Sequence, residues 1–219
     1  MASQLVLPFG SKPALKREDF IAAPCNEQAL RFIERWPDWP ARTAAIWGPP
    51  ESGKTHLARI FCDRAGARLI SAQDLATIDP SDDAIAVELD DSSDPGRDRK
   101  LFALFERPSG TMLLTGRLPP REWSTSLGDL RSRFDALLAF PVWAPDDHLL
   151  AALVRKHFAD RQLDVTDAIV KRLLLHVERT PSAISAFIAR IDEKALAEKR
   201  AVSERLVIDL VDSETGRDP

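Results

Sequence analysis

The sequence predicts an α/β protein in which a parallel β-sheet carries helices on both faces, followed by a small all-helical domain. Between about residues 43 and 142, short apolar runs alternate with helical stretches, which is typical of a parallel sheet. After Pro145 the strand-like runs stop and helical periodicity continues. We therefore expect an extended arm over 1–16, an α/β domain over 17–143 and a helical domain over 144–219.

Each predicted element has its own signal. In the arm, Pro8, Gly10 and Pro13 interrupt any helical pattern, and Asn26 is a plausible N-cap for a helix over 26–36. Thr180 followed by Pro181 marks another helix start. The strand candidates are 43–47, 68–71, 84–89, 111–115 and 136–142. The remaining helix candidates are 54–65, 99–106, 127–134, 146–162, 166–178, 181–200 and 203–211.

Composition narrows the class of protein. The chain has 219 residues, of which 44% are hydrophobic and 29% charged, as in ordinary globular proteins. Its formal net charge of −4 argues against a histone-like DNA binder. No apolar run approaches membrane-spanning length, and no signal peptide is evident. We expect a cytoplasmic protein that makes no membrane contact, with Cys25 and Cys62 as reduced thiols.

A phosphate-binding loop follows the first strand candidate. Residues 48–55 match the pattern Gly-x-x-x-x-Gly-Lys-[Ser/Thr] between a strand and a helix, and we call them the phosphate loop. Its backbone amides can cradle phosphates, its lysine can reach the β- and γ-phosphates, and its threonine can bind Mg²⁺. We predict that ADP or ATP with Mg²⁺ binds Gly48, Pro49, Gly53, Lys54 and Thr55, while His56 either lines this site or packs its helix.

An acidic stretch at the end of the third strand candidate leaves two registers open. Either Glu88 binds Mg²⁺ and Leu89 takes the place of a water-activating acid, or Asp90 and Asp91 are the functional acids, with Asp90 as the Mg²⁺ ligand. For residues 91–94, an ordinary solvated surface is the alternative. The next strand candidate ends at Thr115, where P-loop ATPases place a polar γ-phosphate sensor; a simple strand cap is equally compatible.

A short helix candidate before the last strand contains Arg131 and Arg133. An arginine at this place can project into a neighbouring subunit's nucleotide and stabilise charge on the γ-phosphate in trans. A surface salt bridge is the simpler alternative.

These motifs resemble those of the bacterial replication initiator DnaA and its AAA+ relatives. Residues 53–58 are similar to the family's Gly-Lys-Thr-His-Leu signature, and residues 114–122 and 130–134 to its sensor and arginine-finger segments. The resemblance spans 17–212. It implies an AAA+ sheet domain with a small all-α lid domain, and it assigns Arg133 as the finger.

Two further segments extend the resemblance. Residues 17–21 with Asn26 are similar to the stretch that encloses the adenine, which implies nucleotide contacts by Phe20 and Ile21. Residues 4–9 resemble the peptide by which bacterial proteins bind the β sliding clamp of DNA polymerase III. In such a peptide a glutamine forms a hydrogen bond and apolar side chains fill pockets, although an arm folded onto its own domain is the default alternative. The clamp-binding candidates are Gln4, Leu5, Leu7, Pro8 and Phe9.

The combination resembles the Hda family, the regulatory inactivators of DnaA, since the chain leaves no room for DnaA's helix-turn-helix domain. This resemblance implies a negative regulator of replication initiation. Held on the DNA-loaded clamp, it would present Arg133 to ATP-bound DnaA, which then hydrolyses its ATP. The implied partners are DnaA and the clamp, with DNA reached at the nucleoid only through the clamp. A nucleotide-dependent homodimer is a further expectation, and the regulator's own nucleotide in this family is typically ADP.

Departures from the family pattern point to weak or no ATPase activity of the chain itself. Ser182 stands where the wider class has a sensor arginine early in the third lid helix, and in one register Leu89 replaces an acid. Two alternatives remain. One is a stand-alone AAA+ ATPase, such as a helicase-loader-like protein acting on DNA, against which the net charge of −4 counts. The other is a pure clamp adaptor, against which the intact phosphate loop counts.

Overall fold

The computed structural model describes residues 15–79, 82–89 and 94–214. Within these residues, five strands form one sheet in the order β2-β3-β4-β1-β5, and every neighbouring pair is parallel. The strands are β1 Thr43–Trp47, β2 Arg68–Ser71, β3 Ala84–Glu88, β4 Thr111–Gly116 and β5 Leu138–Pro141.

Helices alternate with these strands and then continue alone. The helices among the strands are α1 Glu27–Glu34, α2 Lys54–Ala65, α3 Pro95–Phe105 and α4 Gly128–Asp135. Those after β5 are α5 Asp147–Ala159, α6 Asp167–His176, α7 Pro181–Ala197 and α8 Glu204–Glu214. Short 3-10 turns occupy Arg17–Asp19, Ala72–Thr77 and Pro120–Glu122. The predicted parallel α/β architecture followed by helices is confirmed.

Side chains that alternate along the strands feed two cores, one on each face of the sheet. Ala44 and Leu113 pack with α1 and α2, whereas Leu114 packs on the other face with Leu101 and Phe134 of α3 and α4. Helices α5 to α8 enclose a separate core of their own. The division of the chain after residue 143 stays a prediction. None of the helices in the described residues has the length and apolar character needed to cross a bilayer.

The starts of three helices show how far the predicted caps hold in the structure. Helix α3 begins at Pro95, ahead of the predicted 99, because the Asp94 carboxylate accepts hydrogen bonds from the amides of Gly96 (3.0 Å) and Arg97 (2.8 Å). Asn26 stands at the N-cap of α1, but its side chain makes no capping bond. The Thr180–Pro181 start of α7 is confirmed, since the threonine hydroxyl accepts a bond from the Ala183 amide.

The sheet topology brings the predicted site residues to one edge. Parallel strands end at the same edge of a sheet, and ligands bind there where the strand order reverses. Strand β1 leads into the phosphate loop, and Glu88 at the end of β3 lies level with Thr115 in β4. The phosphate loop, Glu88 and Thr115 therefore converge from three strands that are separate in sequence.

Candidate functional site

The phosphate loop passes so close to neighbouring backbone that it requires glycine. A Cβ on Gly48 would lie 1.9 Å from the Val142 carbonyl oxygen, and the Gly48 amide donates to the carbonyl of Gly116 over 3.1 Å. Gly53 has a φ of 99° at the N-terminus of α2, a conformation that favours glycine. The loop thus packs against the C-terminal ends of β4 and β5. As at other helix N-termini, the first amides of α2 are available to an anion bound in the loop.

Lys54 is partly desolvated within this loop. Its ammonium donates to the carbonyl of Pro49 over 2.7 Å and contacts the Ser52 hydroxyl at 3.4 Å. Burial, and then the charge of Arg117, lower the pKa of Lys54, while Glu88 opposes them. An ammonium that has lost hydration and lies near another cation is stabilised when an anion binds beside it. The electrostatics therefore suit a phosphate ligand.

The side chains of Thr55 and Glu88 are hydrogen-bonded to each other beside the phosphate loop. The Thr55 hydroxyl donates to the Glu88 carboxylate over 2.7 Å. A hydroxyl and a carboxylate are hard oxygen ligands of the kind Mg²⁺ takes alongside phosphate oxygens and water, so the residues present fit this ion. In the described ranges no group of three or more His, Cys, Asp or Glu side chains could hold a metal by itself. Any Mg²⁺ here would depend on ligands from the nucleotide.

The geometry favours the register in which Glu88 is the acid on the metal side. The next residue, Leu89, donates its amide to the Thr115 carbonyl over 2.8 Å, and its side chain packs against the core beneath the sheet. No carboxylate stands at that position. Asp90 and Asp91 lie outside the described residues, so their predicted roles stay predictions.

A cavity of about 450 Å³ opens between the phosphate loop, the start of the described chain and the helices after β5, and we call it the strap cavity. Phe20 and Ile21 line it together with Leu149 of α5 and Pro181 of α7, and their predicted nucleotide contacts stay predictions. The Phe20 ring meets the His56 ring edge to face, with centroids 5.0 Å apart. An apolar cavity next to a phosphate loop has the chemistry of a nucleoside pocket.

Residues 15–21, the strap, form one wall of the strap cavity and are held from two sides. His56 Nε2 donates to the Lys16 carbonyl over 2.7 Å. The Lys156 ammonium, in α5, reaches the Asp19 carboxylate over 2.9 Å. Burial lowers the pKa of His56, which favours a neutral ring near pH 7. His56 therefore lines the cavity and holds the strap, while its predicted role at a nucleotide stays a prediction.

A carboxylate within the phosphate loop joins the loop to α7. Glu51 adopts a φ of 60°, and its carboxylate accepts hydrogen bonds from the Ser182 hydroxyl (2.7 Å) and amide (3.4 Å). The Ser182 hydroxyl lowers the pKa of Glu51, which keeps the carboxylate ionised. The position where the family pattern has an arginine thus holds a hydroxyl engaged with the loop. Sequence reasoning passed over Glu51, although an acidic side chain inside a phosphate loop was visible.

Thr115 and Arg117 lie beside the phosphate loop but do not line the strap cavity. A second cavity, of about 380 Å³, is lined by both of them with Lys54, Thr55 and Glu88, and we call it the β4 cavity. Thr115 is buried and places no charge there. Arg117, which the sequence analysis did not select, places a guanidinium on this lining.

The two arginines of α4 differ in how they are held. Arg131 donates to the carbonyl of Arg121 over 2.9 Å and also to that of Trp123. Arg133 instead forms an ion pair with Glu106 at 2.5 Å, and both side chains are about half exposed. Neither cavity has Arg133 in its lining. The predicted finger therefore lies on the surface, away from the two cavities beside the phosphate loop. The clamp-binding candidates, residues 4–9, lie outside the described residues.

Comparison with known proteins gives a structural likeness. No family model and no curated protein sequence matches the chain. DnaA from Aquifex aeolicus bound to AMPPCP superposes with a TM-score of 0.72 at 18% identity, over 82% of this chain and 65% of that one. Domain III of Thermotoga maritima DnaA gives 0.71 at 16% identity, over 92% and 97%.

A RuvB mutant from Thermotoga maritima gives a TM-score of 0.65 at 16% identity, over 89% of this chain and 71% of that one. Identities this low carry information about the fold alone. The parallel sheet, the phosphate loop between β1 and α2 and the helices after β5 give this chain the AAA+ fold of DnaA.

Proposed function

We propose that this chain is a DnaA-related AAA+ regulator of the Hda kind. In this proposal it binds ADP or ATP and is held on the DNA-loaded sliding clamp. There it stimulates ATP hydrolysis by DnaA through Arg133, which prevents re-initiation of replication. Its partners would be DnaA and the β clamp, with DNA reached through the clamp, and its nucleotide would serve mainly to order the protein. A nucleotide-dependent homodimer belongs to the same proposal.

The observation that carries this proposal is the contrast between Arg131 and Arg133. Arg131 is committed to two backbone carbonyls, whereas Arg133 is about half exposed and pairs with an equally exposed carboxylate, Glu106. Exposed ion pairs contribute about 0–1 kcal/mol, so exchanging Glu106 for another anion costs little. The guanidinium of Arg133 can therefore give up its ion pair with Glu106 and contact a γ-phosphate on a docked partner.

Arginine fingers act by stabilising the charge that spreads over the γ-phosphate oxygens in the transition state. The guanidinium presents a rigid fork of N–H donors that matches these oxygens, which an ammonium cannot do. In known systems a finger supplied in trans accelerates hydrolysis about 10³- to 10⁵-fold. We assign this role to Arg133 acting on the nucleotide of DnaA.

The chain's own nucleotide would occupy the strap cavity and the phosphate loop. Thr55 and Glu88 would hold Mg²⁺, which neutralises phosphate charge when bound. Phe20 and Ile21 would enclose the base, and Lys54 would contact the phosphates. The apolar side chain of Leu89 cannot activate water, so we expect the chain's own turnover to be slow. The roles of Asp90 and Asp91 and of residues 4–9 rest on the sequence alone.

The decisive experiment measures phosphate release from ATP-loaded DnaA in the presence of DNA-loaded clamp. Wild-type protein is expected to accelerate release, and Arg133→Ala is expected to abolish the acceleration, with Arg133→Lys giving little rescue. Arg31→Ala is the matched control, because Arg31 is also exposed and forms an ion pair with Glu27. Equal stimulation by wild type and Arg133→Ala would exclude the finger.

The clamp contact is tested separately. Gln4→Ala combined with Leu7→Ala should abolish binding to the clamp and leave nucleotide affinity unchanged, because the arm precedes the strap in sequence. Unchanged clamp binding would refute the assignment of residues 4–9. If the protein alone turns over ATP rapidly and has no effect on DnaA, the stand-alone ATPase, helicase-loader-like alternative replaces the proposal. Clamp binding without any nucleotide binding would favour the adaptor alternative.

A further inference from the structure

The strap cavity has walls from parts of the chain that are far apart in sequence. Glu51 and Gly53 of the phosphate loop line it, and so do Pro181 and Ser182 at the start of α7. The Ser182 hydroxyl donates to the Glu51 carboxylate over 2.7 Å, and the Ser182 amide donates to the same oxygen over 3.4 Å. We call this contact the α7 latch. It joins the wall made by the phosphate loop to the wall made by α7.

On the loop side, the latch depends on an unusual backbone conformation. Glu51 has a φ of 60°, in the left-handed region that a residue other than glycine enters at an energetic cost. Such a conformation persists where the surrounding contacts compensate for it, and the Glu51 carboxylate makes its contacts with Ser182. A Glu51→Gly substitution would therefore suit the loop backbone while it removes the latch.

On the α7 side, the latch completes the N-terminus of a helix. The Thr180 hydroxyl accepts from the Ala183 amide over 3.2 Å and lies 3.1 Å from the Ser182 hydroxyl. The Ser182 amide is one of the first amides of α7, which have no acceptor within the helix, and the Glu51 carboxylate accepts from it. A negative charge at a helix N-terminus is stabilised by the helix dipole. Glu51 therefore acts as a second cap of α7, supplied by the phosphate loop.

The latch is suited to opening as well as closing. Glu51 and Ser182 are both exposed, so water can replace either partner of their hydrogen bond and little free energy is needed to break it. The strap, which forms another wall of the cavity, is held independently by the ion pair between Asp19 and Lys156. Separation of α7 from the phosphate loop would thus remove one wall of the cavity and leave the strap in place.

We infer that the α7 latch is a gate: while Glu51 and Ser182 are hydrogen-bonded, α7 encloses a nucleotide in the strap cavity, and opening of the latch sets the rate of nucleotide release. This inference rests on the proposed nucleotide binding and adds the step that controls exchange. Opening acts twice, because it removes the α7 wall and leaves a carboxylate without its donors beside the phosphate loop, where it repels phosphates. In many enzymes the opening of a lid limits the release of the ligand.

The test follows the release of ADP that carries a fluorescent ribose label, after the loaded protein is mixed with excess unlabelled ADP in a stopped-flow instrument. Ser182→Ala removes the donor hydroxyl and should speed release about three- to tenfold, as expected for the loss of one hydrogen bond. Glu51→Gly removes both the latch and a negative charge. The decisive quantity is therefore the effect of Ser182→Ala in the Glu51→Gly background, which should fall below about 1.5-fold because the partner is already absent.

Two serine variants serve as controls. Ser182→Thr keeps the hydroxyl and should release ADP at the wild-type rate. Ser185→Ala should also release it at the wild-type rate, because Ser185 is another exposed serine of α7, contacts His157 at 3.4 Å and does not line the strap cavity. Unchanged release from Ser182→Ala, or an equal acceleration in both backgrounds, would overturn the gate.

Thermal unfolding of each variant without nucleotide separates a folding defect from faster release. If the Glu51→Gly protein does not fold, Glu51→Gln takes its place, and the effect of Ser182→Ala should be smaller there than in wild type because the hydrogen bond is no longer charged. Wild-type protein that does not bind labelled ADP would refute the proposed nucleotide site itself. Binding without coupling between Glu51 and Ser182 would refute the gate alone.

Discussion

Replacement of Asp98 by alanine should be among the most destabilising single changes in the sheet region. The Asp98 carboxylate is completely buried beneath the loop that leads into α4. One of its oxygens accepts from the Thr125 hydroxyl (2.9 Å), the Ser126 amide (2.7 Å) and the Ser126 hydroxyl (3.0 Å). The other accepts from the guanidinium of Arg97 at 2.9 Å. The carboxylate thus joins α3 to the loop before α4.

The expected magnitude follows from what Asp98→Ala leaves behind. Arg97 is itself buried, with 8% exposure, and the substitution takes away a carboxylate that forms an ion pair with it. Removing one partner of a buried ion pair typically costs about 3–5 kcal/mol, because the remaining charge is uncompensated. Asp98→Asn should cost less, since the amide oxygen can still accept from the loop. A loss of this size is a large part of the total stability of an ordinary domain.

Urea unfolding followed by circular dichroism measures this loss at pH 7. The matched control is Asp135→Ala, because Asp135 is half exposed and lies 4.0 Å from Arg131, a pair expected to contribute less than about 1 kcal/mol. An Asp98→Ala protein within about 1 kcal/mol of wild type would refute the reasoning, because the Arg97–Asp98 pair would then be energetically neutral.

The pH dependence of the same variant checks the cause. Burial raises the pKa of Asp98, but the Ser126 amide, Arg97 and the loop hydroxyls outweigh burial, so its pKa lies below the usual range. A carboxyl with a depressed pKa stabilises the folded state above the unfolded pKa of about 3.9 and loses this contribution as pH falls toward its folded pKa. The stability difference between wild type and Asp98→Ala should therefore be constant near neutrality and shrink in acid.

Three further predictions concern single groups. Lys54→Ala should weaken ADP and ATP binding at least about tenfold in a calorimetric titration, through loss of a charged phosphate contact; unchanged affinity would mean that the phosphate loop is not the site. Asp146→Ala removes the acceptor of the Leu149 amide (2.8 Å) at the start of α5 and should cost about 1 kcal/mol in urea unfolding, whereas no change would deny the cap any role. Burial raises the pKa of Cys62 to about 11, so native protein at pH 8 should react with a thiol reagent far more slowly than unfolded protein; fast labelling of the native thiol would contradict its burial.

The parts of the site that were predictable from sequence are encoded locally. Gly48, Gly53, Lys54 and Thr55 lie within eight consecutive positions, and their spacing carries the phosphate-binding geometry without help from distant residues. The alternation of apolar runs and helices predicted the parallel sheet for a similar reason. Once the sheet is parallel, the meeting of Glu88 and Thr115 at one edge follows from topology.

The parts that escaped prediction depend on pairs far apart in sequence. Glu51 and Ser182 are separated by 131 positions, and Asp19 and Lys156 by 137. No periodicity or motif links such residues, so the Asp19–Lys156 and Glu51–Ser182 contacts appear only in three dimensions. The start of α3 was placed too late for a different reason. Asp94 follows a run of acidic and serine residues that resembles a solvated surface, so the sequence did not reveal it as the N-cap.

The order of strands in the sheet has a consequence for how the protein is made. Strand β1 is the first strand in the described chain, yet its neighbours β4 and β5 are the last two. During synthesis, β1 has no flanking strand until the chain has been extended to Gly116, and it lacks the second one until the chain reaches Pro141. Contacts of this sequence separation slow folding, because a long loop must close before they form. The surroundings of the phosphate loop are therefore completed late in synthesis, and unpaired β1 is exposed to aggregation in that interval.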